Sequence, residues 1–462
     1  MMVNMPSERI SERSYRQVFN AVLDEIKPTA GETEKERAFI RKIVGALDRI
    51  TPKDVKIELA GSTAKGTNLK GDRDFDVFML FPKDYSVKEL MTLGIKYAKK
   101  FAAGHRSEIA YAEHPYLRAR IEGSEIDIVP SYRIEDISER MTSVDRSPLH
   151  TRYVNGTITD AQRDDVRLLK RFLKAAGVYG AEGRIQGFSG YLCELLILRY
   201  GSFTQLLDEA TQWRGVPVLS LTGPENAETG GRFKDAAVVF IDPVDPDRNV
   251  AAAVSKTSLS VFVHSARMFL RKPSIKAFFP AQEKADAKWM EKQLKKRDSL
   301  IIGIEFDRPK RLVEDILWPQ LYKFAAKTTE RLEDNDFRVF DTNICANGKC
   351  MVMFELSVHH LPEMRKVMGP PLWKDEDVET FIREHDVTEP IWFERDRILA
   401  VGKRRFTMAE AVIKDVLARP RIYGVPPDVK KVIKTSRLLS IDRIKKAYPQ
   451  FLFAYLKKRN VP

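Results

Sequence analysis

The feature that most constrains this fold is the segment from Asp74 to Phe81 (DFDVFMLF), which opens with two carboxylates and continues as an apolar run. Successive side chains of a β-strand point to opposite faces, so Asp74 and Asp76 share one face while Phe75 and Val77 share the other. The pattern therefore predicts a buried strand with two carboxylates at its entrance. Such a pair suits Mg²⁺, which is usually held by one or two carboxylates together with substrate phosphates.

A turn upstream of this strand indicates phosphate binding. Apolar alternation ends at Gly61-Ser62, which predicts a strand running into a tight turn whose N–H groups and hydroxyl hold phosphate oxygens. Lys65 precedes Gly66, and the segment nearly completes the phosphate-loop pattern G-x-x-x-x-G-K-[ST], but the lysine stands one position early. The motif is therefore not met, and Lys65 is kept as a candidate nucleotide-binding residue.

A third carboxylate follows on a later apolar strand. Asp127 lies between Ile126 and Ile128, and a neighbouring position in the sheet would bring it beside the first pair. The alternative is that the acidic segment around Asp74 is only a solvated turn. The turn upstream and the third carboxylate favour the metal site.

Composition is consistent with a polyanionic partner. The 462 residues carry a formal net charge of +13, and lysine and arginine release counterions when they bind phosphates. No apolar run approaches the roughly 18 to 20 residues that span a bilayer, and the N-terminus is no signal peptide, so we expect a cytoplasmic protein without membrane contact. Cys193, Cys345 and Cys350 are odd in number and wrongly spaced for zinc, which predicts reduced cysteines.

The order of predicted elements indicates an α+β multidomain chain. Residues 8–50 have helical spacing, strands dominate to Pro130 with a helix at 87–101, and residues 160–200 are helical again. A strand at 235–242 and a helix at 259–271 precede a charged boundary at 280–297. Strand, helix, strand, strand then follow from Leu300 to Leu356, the start of a ferredoxin-like or RRM-like α/β arrangement. We divide the chain into residues 1–150, 151–280 and 281–462.

Several phrases carry a resemblance to a known family. Gly-Ser, then two aspartates on a strand and a third on a later strand is the pattern of the DNA polymerase beta nucleotidyltransferase superfamily. The phrases that resemble archaeal-type (class I) CCA-adding enzymes, the tRNA nucleotidyltransferases, are YAEHPY (111–116), SVDRSP (143–148), VYGAE (178–182), GFSGYLCELL (187–196), DPVD (242–245), RNVAA (248–252) and WPQL (318–321). The resemblance runs from about residue 35 to the end of the chain.

The resemblance implies an architecture and an activity. It implies a polymerase-beta-like palm with a mixed sheet in 1–150, a helical nucleotide-binding domain in 151–280, and a tRNA-binding body and tail in 281–462. It implies addition of C, C and A to the 3′ end of tRNA from CTP and ATP without a nucleic acid template. In that chemistry Asp74, Asp76 and Asp127 would hold two Mg²⁺ ions while the RNA 3′-hydroxyl attacks the α-phosphate and pyrophosphate leaves.

The resemblance also assigns nucleotide contacts. Lys170 and Tyr179 match positions that contact the triphosphate, and Arg248 matches the position that faces the incoming base. The remaining expected nucleotide-binding residues are Gly61, Ser62, Lys65, His114, Ser147 and His150; Ser147 keeps the hydroxyl of a threonine found at this position in a relative.

Each of these assignments has a plainer alternative. The basic stripe Arg163, Arg167, Lys170 and Lys174 on one helix face is by itself typical of a solvated surface. A lone histidine such as His114 is often a satisfied core residue, and Arg248 can pair locally with Asp245 or Asp247. Glu194, in an apolar helix, is either catalytic or a paired buried carboxylate, and the second interpretation is favoured.

Recognition of tRNA is expected to use shape and backbone. The acceptor stem and T arm would be bound by basic residues of the C-terminal part, since double-helical RNA offers side chains little readable sequence. The candidates, each of which can also be solubilising surface, are Lys403, Arg404, Arg405, Lys430, Lys431, Lys434 and Arg437. Whether the chain forms a homodimer stays open.

Two rival functions are weighed against CCA addition. A poly(A) polymerase or an oligoadenylate synthetase shares Gly-Ser and the three carboxylates but incorporates A alone. An RNA-binding protein with an inactive transferase domain would lack a carboxylate or a phosphate-loop residue, and none is missing here.

Overall fold

The computed structural model describes residues 12–111, 114–223, 225, 227–281, 283–310, 312–385 and 390–458. These residues form two compact units, the second of which starts at Glu283. Within the described ranges, no helix combines the length and the apolar character needed to cross a membrane.

The first unit begins with two helices, as the spacing of apolar residues in the sequence predicts. Helix α1 is Glu12–Ile26 and helix α2 is Ala30–Asp48. Thr29 begins α2 with a capping box, because its hydroxyl accepts from the Glu32 N–H while the Glu32 carboxylate accepts from the Thr29 N–H. Residues 8–11 of the predicted helical segment lie outside the described ranges.

A five-stranded mixed sheet follows, and it confirms the predicted palm. Its elements are β1 (Lys56–Ala60), α3 (Gly61–Ala64), β2 (Asp74–Phe81), α4 (Val87–Phe101), β3 (Arg106–Tyr111), β4 (Pro115–Ile121) and β5 (Ser124–Tyr132). The strand order is β1-β2-β5-β4-β3. Strands β2 and β5 are parallel, whereas the other neighbouring pairs are antiparallel.

The alternation in β2 decides which face of the sheet is buried. Phe75, Val77 and Met79 pack in one core with Leu47 of α2 and Leu90 of α4. The carboxylates of β2 point to the opposite face because they occupy the alternate positions of the strand. The apolar residues of β2 thus anchor the strand, and the polar face remains available for a site.

A group of helices completes the first unit. The elements are two 3₁₀ turns (Ile137–Glu139 and Ser143–Asp145), α5 (Arg146–Thr157), α6 (Asp160–Ala176), α7 (Gly190–Tyr200), α8 (Phe203–Ala210), β6 (Val218–Leu219), α9 (Ala227–Gly231), β7 (Val239–Phe240), α10 (Lys256–Arg271) and a 3₁₀ turn at Ile275–Ala277. Their core is aromatic, with Phe172, Phe203 and Phe269 packed edge to face. Helix α1, which the sequence division assigns to the first domain, buries Val22 and Ile26 in this helical core.

One predicted strand of this part is much shorter than expected. The segment 235–242 contains only the two-residue strand β7, which pairs in parallel with β6. The Asn249 side chain completes this short pairing, since it accepts from the Phe240 N–H and donates to the Val238 carbonyl, and Ile241 forms an isolated bridge with Asn249. A buried apolar run therefore does not by itself indicate a long strand.

The second unit contains the predicted ferredoxin-like arrangement. Its elements are α11 (Ala287–Arg297), β8 (Leu300–Asp307), α12 (Glu314–Glu333), β9 (Arg338–Cys345), β10 (Lys349–Val358), β11 (Met364–Pro371), α13 (Asp375–His385), β12 (Ile391–Glu394), β13 (Arg397–Lys403), α14 (Ala409–Ala418), α15 (Pro427–Val432), a 3₁₀ turn at Ile433–Thr435, β14 (Arg437–Ser440), α16 (Ile441–Ala447) and α17 (Pro449–Lys457). The antiparallel sheet has the order β14-β8-β10-β9, which places the fourth strand beside the first, as in a βαββαβ unit. The charged segment 280–297, expected as a boundary, includes α11.

A smaller sheet is inserted between β10 and α14. Its strand order is β11-β13-β12, and α13 packs on it through Val378 and Phe381. The base of the insertion is closed by a bridge between His360 and Met408. The three cysteines are buried and free, and their reduced state stays a prediction.

Candidate active site

The three predicted carboxylates lie on one face of the first sheet. Because β2 and β5 are parallel neighbours, Asp76 stands directly opposite Asp127, and Asp74 stands opposite Glu125. Side chains at paired positions of neighbouring strands point to the same face. The sheet therefore brings Asp127 beside the aspartate pair of β2, and it adds Glu125 as a fourth carboxylate.

The charges on this face repel one another. Burial, followed by the charge of Asp127, raises the pKa of Asp76 to about 6. Burial also raises the pKa of Asp74, with Glu125 and Asp72 as further causes. Carboxylates that face each other in a partly dry site favour a bound cation, since a cation relieves both the repulsion and the loss of hydration.

Arg118 compensates part of this charge. Its Nε and Nη2 atoms each donate to one oxygen of Asp127 at 2.8 Å, and its Nε lies 3.0 Å from Glu125 Oε1. The bidentate pair with Asp127 raises the pKa of Arg118 above its ordinary value. Arg118 is held in place because β4 pairs with β5 in a register that sets Arg118 opposite Asp127.

The carboxylates fit a divalent ion without forming a closed cage. Among the described residues, no three His, Cys, Asp or Glu side chains surround a point where a metal ion would be fully held. Both oxygens of Asp127 face Arg118, which explains why the third carboxylate is turned aside. Adjacent carboxylates with raised pKa values nevertheless match the donor set of Mg²⁺, which takes its other ligands from phosphates and water.

Gly61 is required by the position of Asp76. The residue has a φ of +74°, and a Cβ atom added there would lie 2.1 Å from Asp76 Oδ2. The turn after β1 therefore lies in direct contact with the Asp76 carboxylate. Ser62 follows at the start of α3, half-buried, and its carbonyl accepts from the Thr67 N–H at 2.9 Å, which closes the loop.

Lys65 and Lys170 meet at Glu194. Lys65 Nζ lies 2.5 Å from Glu194 Oε2, Lys170 Nζ lies 3.7 Å from Oε1, and Thr67 donates to Oε1 at 2.6 Å. All four residues are buried, and Glu194 is the paired buried carboxylate that the sequence favoured. Burial alone would raise the pKa of Glu194, but Lys65 and Lys170 hold it below its ordinary value. This lysine cluster (Lys65, Thr67, Lys170 and Glu194) carries two positive charges against one negative charge.

Tyr179 ends beside the lysine cluster. A Cβ atom added to Gly190 would lie 3.2 Å from Tyr179 Oη and 3.6 Å from Lys170 Nζ, so both side chains reach the start of α7. Lys174 Nζ lies 5.2 Å from the centre of the Tyr179 ring. Burial raises the pKa of the Tyr179 hydroxyl, which keeps it protonated as a hydrogen-bond donor.

Three members of the basic stripe of α6 contact the segment between the Gly61 turn and β2, whereas Lys174 is exposed and pairs with Asp72 at 3.3 Å. Arg163 donates to the carbonyl of Lys65 at 3.0 Å, and Lys170 donates to the carbonyl of Thr67 at 3.0 Å. Arg167 donates to the carbonyls of Asn68 at 3.0 Å and Gly66 at 2.5 Å. The stripe therefore holds the segment 65–68 between the Gly61 turn and β2, a role that helical spacing alone does not predict.

His150 and Arg248 share one buried partner. His150 Nε2 and Arg248 Nη1 both lie 2.9 Å from Asp242 Oδ2, so Arg248 pairs with neither Asp245 nor Asp247 through this atom. Lys65 connects this group with the carboxylates, since it lies 5.5 Å from the Tyr191 ring and lowers the pKa of Asp76. Lys65 thus lies between the carboxylates of the sheet and the group around Asp242.

Two nucleotide-binding candidates make no described contact with the carboxylates or with the lysine cluster. Ser147 is half-buried in α5, one turn before Thr151, which donates to its carbonyl at 3.1 Å. His114 precedes β4 by one residue, four positions from Arg118, which is roughly 13 Å along a strand. His114 therefore lies at the end of β4 away from the carboxylates, and Ala112 and Glu113 of its motif fall outside the described residues.

The basic candidates for RNA contact all lie in the second unit. Lys403 ends β13 and pairs with Glu363 at 2.5 Å, Arg404 pairs with Asp336, and Arg405 lies 3.7 Å from Asp415. Lys430 and Lys431 are in α15, Lys434 is in the next turn and Arg437 starts β14; Lys431, Lys434 and Arg437 are exposed.

Sequence patterns left several site residues unassigned. Glu125 stands two positions before Asp127, so strand alternation could have placed it on the same face. Arg118, Tyr191 and Asp242 carry no such signal, because their partners are set by strand register and by loops distant in the chain.

Family models agree with a fold and site of the nucleotidyltransferase class. A model described as a nucleotidyltransferase domain matches residues 40–150. A model of the second domain of tRNA nucleotidyltransferase matches residues 164–279, and a model of the C-terminal domain of CCA-adding enzyme matches residues 297–440. A solved cytoplasmic RNA terminal U-transferase is similar to 59% of this chain and 100% of its own, with 15% identity and a TM-score of 0.47.

The curated relatives narrow the class to one family. The CCA-adding enzyme of Methanothermobacter thermautotrophicus is 37% identical over 409 residues, which are 87% of this chain and 88% of that protein. The CCA-adding enzyme of Sulfurisphaera tokodaii is 36% identical over 397 residues, covering 86% and 90% of the two chains. The chain belongs to the CCA-adding enzymes.

Proposed function

We propose that this protein adds C, C and A to the 3′ end of tRNA from CTP and ATP, without a nucleic acid template. Relatives named CCA-adding enzyme, at 36% and 37% identity over most of the chain, support this activity. The observation that carries the chemistry is the pairing of Asp76 with Asp127 across β2 and β5, with Asp74 on the same face.

The carboxylates are proposed to bind divalent metal. Asp74, Asp76 and Asp127 would hold two Mg²⁺ ions, which supply charge neutralisation at the reacting phosphate and a lower pKa for the attacking hydroxyl. On binding metal, Asp127 would give up part of its contact with Arg118. Glu125 Oε1, which lies 3.0 Å from the Arg118 Nε atom, would then accept from Arg118 in its place. Gly61 keeps the Asp76 carboxylate close to the turn that precedes α3.

The triphosphate is proposed to lie between the carboxylates and the lysine cluster. The excess positive charge of Lys65 and Lys170 over Glu194 favours a polyanion, and the leaving pyrophosphate gains charge during transfer. Ser62 and the Tyr179 hydroxyl are polar groups at the edges of this region, and Arg248 faces the base. His150 and Ser147 remain proposed contacts, whereas the position of His114 at the far end of β4 gives it less support.

The tRNA is proposed to contact the second unit through its acceptor stem and T arm. The exposed basic residues Lys434 and Arg437 are the candidates best placed for phosphate contact, because Lys403, Arg404 and Lys431 already have acidic partners. The division into a palm at 1–150, a helical nucleotide-binding domain at 151–280 and a tRNA-binding part at 281–462 is proposed with it. A homodimer and a cytoplasmic location stay predictions.

The activity is tested with labelled CTP and ATP and three forms of one tRNA. These are tRNA lacking its 3′ end, tRNA ending in CC, and intact tRNA. We expect addition that stops at CCA on the first two and no addition to the third. A long A tail, or incorporation of A alone, would reject the proposal in favour of a poly(A) polymerase or an oligoadenylate synthetase.

The site assignment is tested separately by removing single charges. Asp74→Asn and Asp127→Asn should abolish incorporation and leave tRNA binding, measured by filter retention, nearly unchanged. Incorporation at a near-normal rate in either variant would contradict the assigned role of that carboxylate.

A further inference from the structure

Asp242 is a buried acceptor shared by three side chains from separate parts of the chain. Its side chain is 0% exposed, and its Oδ2 atom lies 2.9 Å from both His150 Nε2 and Arg248 Nη1. Its Oδ1 atom accepts from the Tyr191 hydroxyl at 3.1 Å and from the Val244 N–H at 3.0 Å. Each oxygen therefore already accepts from two donors, and the carboxylate has no lone pair left to accept a hydrogen bond from a substrate.

The groups around Asp242 form one rigid unit. The rings of His150 and Tyr191 are stacked, with centroids 4.0 Å apart and planes inclined by 22°. Burial would raise the pKa of Asp242, but the hydrogen bonds from His150, Val244 and Arg248 lower it to about 2. The carboxylate is thus ionised at every working pH and provides a fixed charge for its donors.

Arg248 is the partly exposed cation of this unit. A third of its side chain, 33%, remains exposed, whereas Asp242 is fully covered and His150 is 11% exposed. An arginine presents only hydrogen-bond donors, and it cannot lose its proton in a protein. The direction of those donors is set by the one anion that Arg248 contacts through Nη1.

We propose that Asp242 is a positioning residue for base selection, which acts by fixing the donors of Arg248 against the pairing edge of the incoming base. This inference rests on the proposed function. Cytosine N3 and adenine N1 accept hydrogen bonds, whereas uracil and guanine carry an N–H at the same place. A donor held at that place pairs with C and A and leaves U and G with two opposed donors, which is costly in a desolvated site.

A fixed arginine also explains how one residue can select among both pyrimidines and purines. An arginine free to turn could move away from uracil and contact its carbonyl oxygens instead, so that C and U would be bound alike. The buried carboxylate restricts that freedom, because a rotation that carries Nη1 away from Asp242 would break their contact. Selectivity for C over U and for A over G then depends on the same residue.

The test compares Asp242→Asn with the wild-type enzyme. The measured quantity is kcat/KM for CTP divided by that for UTP on tRNA lacking its 3′ end, and for ATP divided by that for GTP on tRNA ending in CC. Each ratio is taken within one protein sample, so a partly unfolded variant still gives a valid result. We expect both ratios to fall about tenfold; equal losses for all four nucleotides would show a merely structural role and overturn the inference.

A double variant shows whether Asp242 works through Arg248. In an Arg248→Ala background, Asp242→Asn should cause no further fall in either ratio, because the positioned group is already gone. A further fall of similar size would overturn the proposed route. Asp245→Asn is the matched control, since Asp245 lies in the same loop but pairs with Arg140 at 2.7 Å and Arg146 at 3.0 Å, and it should keep wild-type ratios.

The wild-type measurement distinguishes a failure of the proposed function from a failure of the role assigned to Asp242. If the wild-type enzyme adds no C or A to tRNA, the proposed function fails and this inference fails with it. If the wild-type enzyme adds CCA and Asp242→Asn keeps both ratios, the proposed function stands and only the role of Asp242 is overturned.

Discussion

Asp76 is the residue whose proposed function most directly lowers the stability of the folded protein. It faces Asp127 across the sheet in a largely buried position, and burial and this neighbour raise its pKa to about 6. At neutral pH the folded protein must therefore hold an ionised group in unfavourable surroundings. The ionised Asp76 carboxylate therefore lowers the stability of the metal-free protein.

We predict that Asp76→Asn stabilises the metal-free protein and inactivates it. The carboxyl has an ordinary pKa of 3.8 when unfolded and about 6 when folded, so its ionisation above pH 6 lowers the free energy of unfolding. Removing the charge should raise that free energy by about 3 kcal/mol at pH 8, since one pKa unit corresponds to about 1.4 kcal/mol. The gain should shrink as the pH falls from 6 towards 3.8, because the wild-type carboxyl then binds a proton in the folded state. Urea unfolding of both proteins in the presence of a chelator measures this gain in the free energy of unfolding.

Asp127→Asn is the control for this prediction. It removes a charge from the same face but also breaks the bidentate contact with Arg118, so it should lower the free energy of unfolding. A loss of stability in Asp76→Asn as large as that in Asp127→Asn would contradict the interpretation of Asp76.

At the neighbouring position, we predict that Gly61→Ala abolishes nucleotide incorporation. The alanine would be strained at a φ of +74°, and its Cβ would displace the Asp76 carboxylate, which lies 2.1 Å from that position. Gly71→Ala is the matched control, because Gly71 has a φ of +82° with no atom within 4 Å of the added Cβ. Both variants should lose about 1 to 2 kcal/mol of stability, but only Gly61→Ala should be inactive. Equal activity of the two variants would contradict a close approach at Gly61.

At the scale of elements, helix α6 and the loop it holds act as one piece. The helix is well defined, since Thr159 caps its start and Gly177 ends it with a φ of +74°. Its basic stripe donates to the carbonyls of Lys65, Gly66, Thr67 and Asn68. The loop between β1 and β2 therefore depends on a helix about a hundred residues further along the chain.

We predict that Arg167→Ala destabilises the protein much more than Lys174→Ala does. Arg167 is buried, and its loss leaves the carbonyls of Gly66 and Asn68 without their donor, at a cost of about 1 to 3 kcal/mol. Lys174 makes a partly exposed pair with Asp72 at 3.3 Å, and such pairs contribute about 0 to 1 kcal/mol. Chemical denaturation of both variants measures the difference. Similar values for the two would mean that the stripe does not hold the loop.

The elements also show why sequence patterns predict the carboxylates but not their partners. Asp74 and Asp76 could be assigned to one face because strand alternation is local, and Asp127 could be added because its strand has the same apolar pattern. Asp242 could not be assigned a role, because its contacts with His150 and Tyr191 join segments 92 and 51 residues away. The contacts of Arg163, Arg167 and Lys170 with the segment 65–68 are not predictable for the same reason, because helical spacing defines a face and does not identify what covers it.

At the scale of the whole molecule, the net charge of +13 makes tRNA affinity depend on salt. We predict that Lys434→Ala reduces the slope of log affinity against log salt concentration by about one unit, as expected for one lost phosphate contact. Lys434 is exposed in the turn after α15. Titration of labelled tRNA at several salt concentrations measures the slope.

Arg404→Ala is the comparison for this measurement. Arg404 pairs with Asp336 and its side chain is 14% exposed, so it should affect stability more than the salt slope. An unchanged slope in Lys434→Ala would remove this lysine from the candidate RNA surface.

The insertion between β10 and α14 leaves and re-enters the ferredoxin-like core at a single point. The Leu361 N–H donates to the Thr407 carbonyl at 2.9 Å, and the Ala409 N–H donates to the His359 carbonyl at 3.0 Å, so the two connections lie side by side. Residues between these connections can consequently lengthen, shorten or be exchanged during evolution without a change in the register of the core sheet. The same point offers a natural place to graft a foreign domain onto this enzyme.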